Sequence, residues 1–240
     1  MSRGEEILRA RDAAITEALK ELRDGMVIGL GSGTTIARLM EILKSHVRRN
    51  ELRLSFIPSS LQAKQLIVEG GFEMTSLDEH PRPDLVLDSF DQVDESGNAI
   101  KGGGGALLRE KVLAQAAERV IYIGDFMKLK PRLDMPIPVE VLEYAFPHVK
   151  NVLNGWGMEI RPRTGKGKMG PIISDNGNLI ADVEVKGWED PEELDERLRS
   201  IAGILETGIF PRLADLILIG YPSGDVKRMV VERKKIFSKK

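Results

Sequence analysis

The chain has 240 residues, enough for one large domain or two small ones. With 42% hydrophobic and 30% charged residues and a net charge of -2, it is expected to be globular; disorder, collagen-like structure and general nucleic-acid or membrane-surface binding are excluded. It has no Cys and only three, widely separated His (His46, His80 and His148), which excludes disulfides, a thiolate nucleophile, Cys-ligated zinc and an H-E-x-x-H metal pair.

Residues 5–22 place Ile7, Leu8, Ile15, Leu19 and Leu22 at helical spacing, and Asp24-Gly25 stops that helix. Met26 to Leu30 is a short apolar run, as expected for a strand buried on both faces. Ile36, Leu39, Met40, Leu43 and Val47 predict a second helix. Leu54–Ile57 predicts a strand, which Pro58-Ser59-Ser60 breaks, and 61–69 a helix. Asp84–Leu87 predicts a strand running into an acidic loop, 88–94, and four glycines precede a helix over 106–118. A further strand is predicted over 119–124. Strands alternating with helices in this way predict a mostly parallel α/β sheet.

After Pro131 the pattern changes. Pro136, Pro138, Pro147, Pro162 and Pro171 punctuate the chain, and 158–163 reads as a strand. Residues 171–174 and 179–185 flank Asp175-Asn176-Gly177-Asn178, a hairpin signal. Asp190 and Pro191 supply the N-cap and first position of a helix that continues through Leu194, Leu198 and Ile201. This segment predicts a small α+β insertion. The runs 214–220 and 225–231 predict strands that rejoin the first sheet, and the basic 233–240 reads as a solvated tail. Trp156 and Trp188 are expected in a core or interface, and Arg161, Arg163, Lys166 and Lys168 in an exposed loop. With neither a signal-peptide apolar core nor a run of roughly 18 apolar residues, a cytoplasmic, soluble chain is expected.

Three segments point to chemistry. The first, Gly29-Leu30-Gly31-Ser32-Gly33-Thr34-Thr35, lies between a strand and a helix. Its glycines permit close backbone approach, and its helix-start amides and hydroxyls suit a phosphate. It lacks the glycine pattern of a dinucleotide fingerprint and the Gly-Lys-Ser/Thr of a Walker motif; the alternative is a capped tight turn. The second, Asp88-Ser89-Phe90-Asp91, sits where a buried strand ends; adjacent carboxylates there suit proton transfer, the alternative being an Asx turn. Asp94 to Asn98 reads as such a turn. The third is Lys101 with Gly102, Gly103, Gly104 and Gly105, followed by Glu110 early in a helix. Several backbone amides beside a cation suit a developing oxyanion, with Glu110 pointing back towards them. Lys128, just past a strand, is either a surface lysine or a phosphate contact.

Together the motifs resemble one family, ribose-5-phosphate isomerase A. The matching stretches are GLGSGTT (29–35), PSS (58–60), Asp88-x-x-Asp91, KGGGGALLREK (101–111), PVEV (138–141), ISDNGNLIADV (173–183), ETGIF (206–210) and ADLILIG (214–220). The resemblance implies a Rossmann-like domain (1–133 plus 212–240) and a smaller ferredoxin-like α+β domain (134–211). It also implies interconversion of D-ribose 5-phosphate and D-ribulose 5-phosphate without metal or organic cofactor, and a homodimer or homotetramer. Glu110 matches the general base, Asp88 and Asp91 the acidic pair that opens the sugar ring, and Lys101 with Gly102, Gly103 and Gly104 the enediolate-stabilising segment. Ser32, Gly33, Thr34 and Thr35 match the substrate loop, Lys128 a substrate lysine, and Arg11 a basic position near the phosphate. Where the family reads Asp-Gly-Ala-Asp-Glu, this chain has Asp88-Ser89-Phe90-Asp91-Gln92. That departure predicts strain at Ser89 if the backbone there has positive φ, and a pocket narrowed by Phe90. It keeps two alternatives open: an isomerase for another phosphosugar, and a non-catalytic sugar-phosphate sensor.

Overall fold

The protein is described by a computed structural model covering residues 2–185, 187 and 190–234. Trp188 and the tail 235–240 lie outside the described residues. In chain order the elements are α1 (Arg3–Leu19), β1 (Val27–Leu30), α2 (Thr34–Asn50), β2 (Ser55–Pro58), α3 (Leu61–Gly70), β3 (Glu73–Met74), β4 (Leu85–Ser89), β5 (Gln92–Val93), β6 (Ala99–Ile100), α4 (Leu107–Ala116) and β7 (Arg119–Asp125). There follow β8 (Ile137–Val141), α5 (Phe146–Gly155), β9 (Glu159–Pro162), β10 (Thr164–Gly165), β11 (Lys168–Pro171), β12 (Leu179–Glu184), α6 (Pro191–Arg199), β13 (Ile204–Thr207), β14 (Ile209–Phe210), β15 (Leu216–Gly220) and β16 (Val226–Val230).

The main sheet has the order β3-β2-β1-β4-β7-β15-β16, parallel except for β16. Chain direction along the sheet reverses between β1 and β4, so the loops leaving these two strands splay apart and open a crevice at their carboxyl ends. Alternation along each strand feeds two cores. Ile28, Leu30, Leu85, Leu87, Ile121 and Ile123 pack with Ile15 and Leu19 of α1, Leu39 and Leu43 of α2 and Ile67 of α3. Val86, Val120, Tyr122, Ile217 and Ile219 pack on the opposite face with Leu107 and Leu113 of α4. α1 starts with a capping box, the Ser2 Oγ accepting from the Glu5 N–H and the Glu5 carboxylate from the Ser2 N–H.

The second sheet is antiparallel, in the order β13-β8-β12-β9, and carries α5 and α6 over its own core of Val139, Val141, Leu153, Ile160, Val183, Leu194 and Leu198. Its β-α-β-β-α-β sequence is the ferredoxin-like arrangement. Asp190 caps α6 by accepting from the Glu192 and Glu193 amides. A three-stranded patch, β14-β6-β5, lies between the two sheets.

Four expectations are corrected. β4 continues through Asp88 and Ser89, which pair in register with Tyr122 and Ile123, so Asp88 is a strand residue and not a loop residue. Pro147 does not break the chain but starts α5, where its missing N–H costs nothing. The 171–185 hairpin is reduced to one bridge, Ile173 to Leu179, because β12 is claimed by β8 and β9. Arg233, expected at the start of a solvated tail, is instead packed onto the fold: its side chain is buried, ion-paired with Asp215 and donating to the Ala117 carbonyl.

Candidate active site

The three motifs converge on a cleft at the carboxyl ends of β1, β4 and β7, the position where open α/β sheets bind their ligands. Ser32, Gly33 and Thr34 form one side. Ser89, Phe90 and Asp91 form the floor. Lys101, Gly102, Gly103, Gly104 and Glu110 form the other side, with Lys128 at the end. Asp88 and Thr35 are buried just behind this wall.

The first motif turns as sharply as it does because of Asp88. A Cβ on Gly31 would stand 1.8 Å from Asp88 Oδ1, so only glycine lets β1 end beside that carboxylate. Gly33 caps α2 with φ of 97°. Its N–H donates to Gln62 Oε1 at 2.8 Å, and Ser32 Oγ lies 2.9 Å from Ser59 Oγ and 2.8 Å from Ser60 Oγ. Ser59, Ser60 and Gln62 thus brace the loop, a role that the sequence reading missed. The signal was there in strand adjacency, because β1 and β2 are neighbours and the residues just past both strands must meet. Thr35 Oγ1 and Arg11 Nε are buried and have no protein partner. Arg11 also reaches Thr34 Oγ1 and Asp125, each at 3.4 Å, which brings it to the start of α2.

At the centre, Lys101 Nζ lies 2.8 Å from Asp88 Oδ2 and 3.1 Å from Glu110 Oε2, and donates to the Ser89 carbonyl at 2.5 Å. It stands over the rings of Tyr122 (5.4 Å) and Phe210 (5.3 Å). Burial works to lower its pKa, but the Asp88 and Glu110 carboxylates outweigh it and hold the ammonium above the ordinary lysine value. Asp88 Oδ1 accepts from the Ser89 amide at 2.7 Å and the Ser32 amide at 3.4 Å; burial nonetheless pushes its pKa up, opposed by Lys101.

Glu110 sits in the first turn of α4, its N–H bonded to the Ala106 carbonyl. Burial, then the Asp88 charge, raises its pKa to about 7, against the pull of Lys101. Its Oε2 makes no directed hydrogen bond, although Lys101 is near. It is therefore a desolvated carboxylate lining a cleft, with its pKa raised to about 7, which suits proton transfer from carbon. Asp91 is the acid that reaches the cleft, its Oδ2 accepting from the Gly103 amide at 2.8 Å. Lys128 Nζ donates to the Phe90 carbonyl at 2.5 Å, and burial lowers its pKa.

The departures around Asp88 resolve structurally. Among the described residues only Glu51 and Arg212 are non-glycine residues with positive φ, so Ser89 is extended and unstrained. Gln92 faces away from the cleft and binds Asp134 through both its amide groups. Phe90 is buried, its ring lying where a Cβ on Gly124 would stand, 2.3 Å from Phe90 Cζ, and it tilts against Tyr122. Phe90 therefore fills a core position as well as lining the cleft. Phe90→Ala is expected to cost about 3 kcal/mol of stability by urea unfolding, the usual loss for a buried Phe; a change below about 1 kcal/mol sinks this reading.

Two further contacts complete the frame. Residues 206–208 touch both ends of the third motif. The Gly208 carbonyl accepts from the Lys101 N–H at 2.8 Å, and a Cβ on Gly208 would stand 2.3 Å from the Lys101 carbonyl oxygen. Lys111, next to Glu110, is buried with its Nζ 2.7 Å from Glu206 and 3.1 Å from Asp195. The second is Arg163, expected in an exposed loop; its side chain is largely buried against the Gly102 and Gly103 carbonyls.

Comparison with known proteins places this geometry. Residues 55–224 match the family model for ribose 5-phosphate isomerase A (phosphoriboisomerase A). A ribose-5-phosphate isomerase A of Archaeoglobus fulgidus is 42% identical over 206 residues, covering 85% of this chain and 91% of that protein. The Homo sapiens ribose-5-phosphate isomerase is 36% identical over 231 residues, covering 94% and 74%. The solved isomerase A of Methanocaldococcus jannaschii superposes with a TM-score of 0.87 at 38% identity, covering 92% of this chain and 98% of that one. A D-ribose-5-phosphate isomerase solved in complex with phospho-erythronic acid superposes with a TM-score of 0.89 at 36% identity, covering 93% and 99%. The shared fold, the extent of these matches and the four ionisable groups around one cleft lead to one assignment: the chain belongs to the ribose 5-phosphate isomerase A family.

Proposed function

We propose that the protein interconverts D-ribose 5-phosphate and D-ribulose 5-phosphate, with Glu110 carrying a proton between C2 and C1 of an enediolate. The observation that carries this reading is the Glu110 carboxylate, buried at the cleft wall, ion-paired with Lys101 through Oε2 and raised to about 7. A carbon-bound proton is too weakly acidic for a carboxylate to remove unaided, so the forming oxyanion needs a partner. Lys101, held cationic, and the glycine amides beside it fill that need. One carboxylate serves both carbons when it lies on one face of a cis-enediolate. Asp91 faces the sugar's hydroxyl and ring oxygen atoms and handles their protons. Asp88, behind the wall, keeps Lys101 charged and in place, which refines the paired role expected for the two acids. The phosphate lies at the start of α2, where Thr35 Oγ1 and Arg11 Nε lack partners and the helix dipole favours an anion. Bound there, remote from the reacting carbons, it positions them.

The test is ketose formation from D-ribose 5-phosphate in the presence of EDTA, followed against pH. The base must be ionised, so kcat/KM is expected to rise tenfold per pH unit on the acid side and to level off above about pH 7. A profile flat between pH 5 and 8 would count against Glu110 as the base. The retained base favours an enzyme over a sugar-phosphate sensor, since binding alone needs no proton acceptor; a panel of pentose and hexose phosphates separates the remaining isomerase alternative.

The same reading includes a two-domain organisation (1–133 plus 212–240, and 134–211), supported by the separate core of the second sheet. It also includes a cytoplasmic homodimer or homotetramer. Leu142 and Tyr144, which follow β8, and Leu205 on β13 are exposed apolar side chains that support association, which light scattering measures. Among the described residues no helix is long and apolar enough to cross a membrane.

A further inference from the structure

We propose that Arg163 is a positioning residue for the oxyanion site: it fixes which way the peptides of the glycine run face. The proposal rests on the isomerase reading above. Arg163 follows β9, and its backbone is held on both sides, its N–H donating to the Ile180 carbonyl and its own carbonyl accepting from the Ile172 N–H. Its guanidinium forks onto both oxygens of Asp182 on β12, with Nε to Oδ2 at 2.9 Å. The remaining nitrogen, Nη1, donates to the Gly102 carbonyl at 2.7 Å and the Gly103 carbonyl at 3.0 Å.

A trans peptide is planar, and its N–H points opposite to its C=O. Holding the Gly102 carbonyl towards Arg163 therefore turns the Gly103 N–H the other way, where it meets Asp91 Oδ2 at 2.8 Å. Holding the Gly103 carbonyl does the same for the Gly104 N–H. That amide has no protein acceptor among the described residues, and Gly104 lines the cleft beside Lys101. Consecutive glycines have no side chains to choose between peptide orientations. The Gly102 carbonyl is shared with the Gly105 N–H at 2.9 Å, but the Gly103 carbonyl is held from behind by the charged fork, itself locked by Asp182. The second sheet thus supplies the geometry of a donor that it never brings to the substrate.

The experiment compares wild type, Arg163→Met and Asp182→Asn on ribose 5-phosphate. It reads kcat, KM, the inhibition constant of phospho-erythronic acid, whose planar carboxylate resembles the enediolate, and the melting temperature. Arg163→Met is expected to lower kcat at least about tenfold, part of the loss seen when an oxyanion donor is removed. It should weaken phospho-erythronic acid by a similar factor and change KM less than about threefold. Asp182→Asn is expected to shift the same two quantities less, and it carries the test if Arg163→Met does not fold. If both folded variants keep kcat within about threefold, or if KM rises while kcat holds, the proposal is wrong and the isomerase reading stands. A folded wild type without turnover overturns both.

Discussion

Glu110→Gln is expected to lower kcat by at least about 100-fold, the scale of a lost general base, while the KM for ribose 5-phosphate stays within about threefold. The amide keeps the shape of the carboxylate but cannot accept a proton from carbon. The surrounding charges argue that the variant folds. Ionising Glu110 inside the protein is unfavourable, because burial and the Asp88 charge raise its pKa to about 7. A carboxyl whose folded pKa is raised contributes stability below its unfolded pKa, near about 4.3, and loses it as pH rises through the folded value. Wild type therefore gives up stability between those two values, and Glu110→Gln does not. The variant should accordingly gain on wild type in urea unfolding as the pH goes from 5 to 8, while losing activity throughout. Proton exchange with deuterated solvent at C1 and C2 should be lost with turnover. A variant retaining a tenth of wild-type kcat would remove Glu110 from the role of base.

Lys101→Met is expected to damage both activity and folding. Its ammonium is the cation facing Asp88 and Glu110 at 2.8 and 3.1 Å, and all three side chains are almost completely buried. Removing it leaves two carboxylates in a dry site, and breaking a buried pair in this way costs about 3–5 kcal/mol. Turnover should fall by about 1,000-fold or more, since the oxyanion loses its charge partner. The stability loss has a pH signature. Without Lys101 the two acids are held neutral in the fold, with pKa values raised above their unfolded ones. Their cost is then absent at low pH and grows as pH rises, so the difference from wild type should be smaller at pH 5 than at pH 8. A difference independent of pH would mean that the three groups are not electrically linked.

The strands of the main sheet were legible because both of their faces are covered. Val27–Leu30, Leu85–Leu87, Arg119–Gly124 and Leu216–Gly220 read as continuous apolar runs, which is what two-sided burial produces. Glu73–Met74 escaped notice because it is a two-residue, exposed edge strand. Ile137–Val141 was hidden by Pro138, tolerated near the strand start where its carbonyl, not an N–H, is needed to pair with Gly208. The site was legible where its parts are local, in the glycine loops and in the spacing from Lys101 to Glu110. The helix N-cap at Gly33 and the glycine run announce themselves by composition. What was not legible are the supports that come from afar. Arg163 and Asp182 look like ordinary surface charges until β9 and β12 bring them to the back of the glycine run. Glu206 and Gly208 gain meaning only beside Lys111 and Lys101. Phe90 looked obstructive because its accommodating partner, Gly124, lies on a different strand.

The clasp at residues 206–208 has a consequence for assembly of the enzyme in time. Lys101 and Glu110 lie close together in the chain, but Gly208, which bonds the Lys101 backbone, and Glu206, which pairs with Lys111 beside Glu110, lie roughly a hundred residues downstream. Closing so long a loop is entropically slow, and contacts of this separation are among the last to be secured. Much of the helix content can thus return before the two halves of the site are joined. On dilution from denaturant, recovery of turnover should lag recovery of circular dichroism, and the lag should lengthen in Gly208→Ala, whose added methyl group pushes against the carbonyl of Lys101.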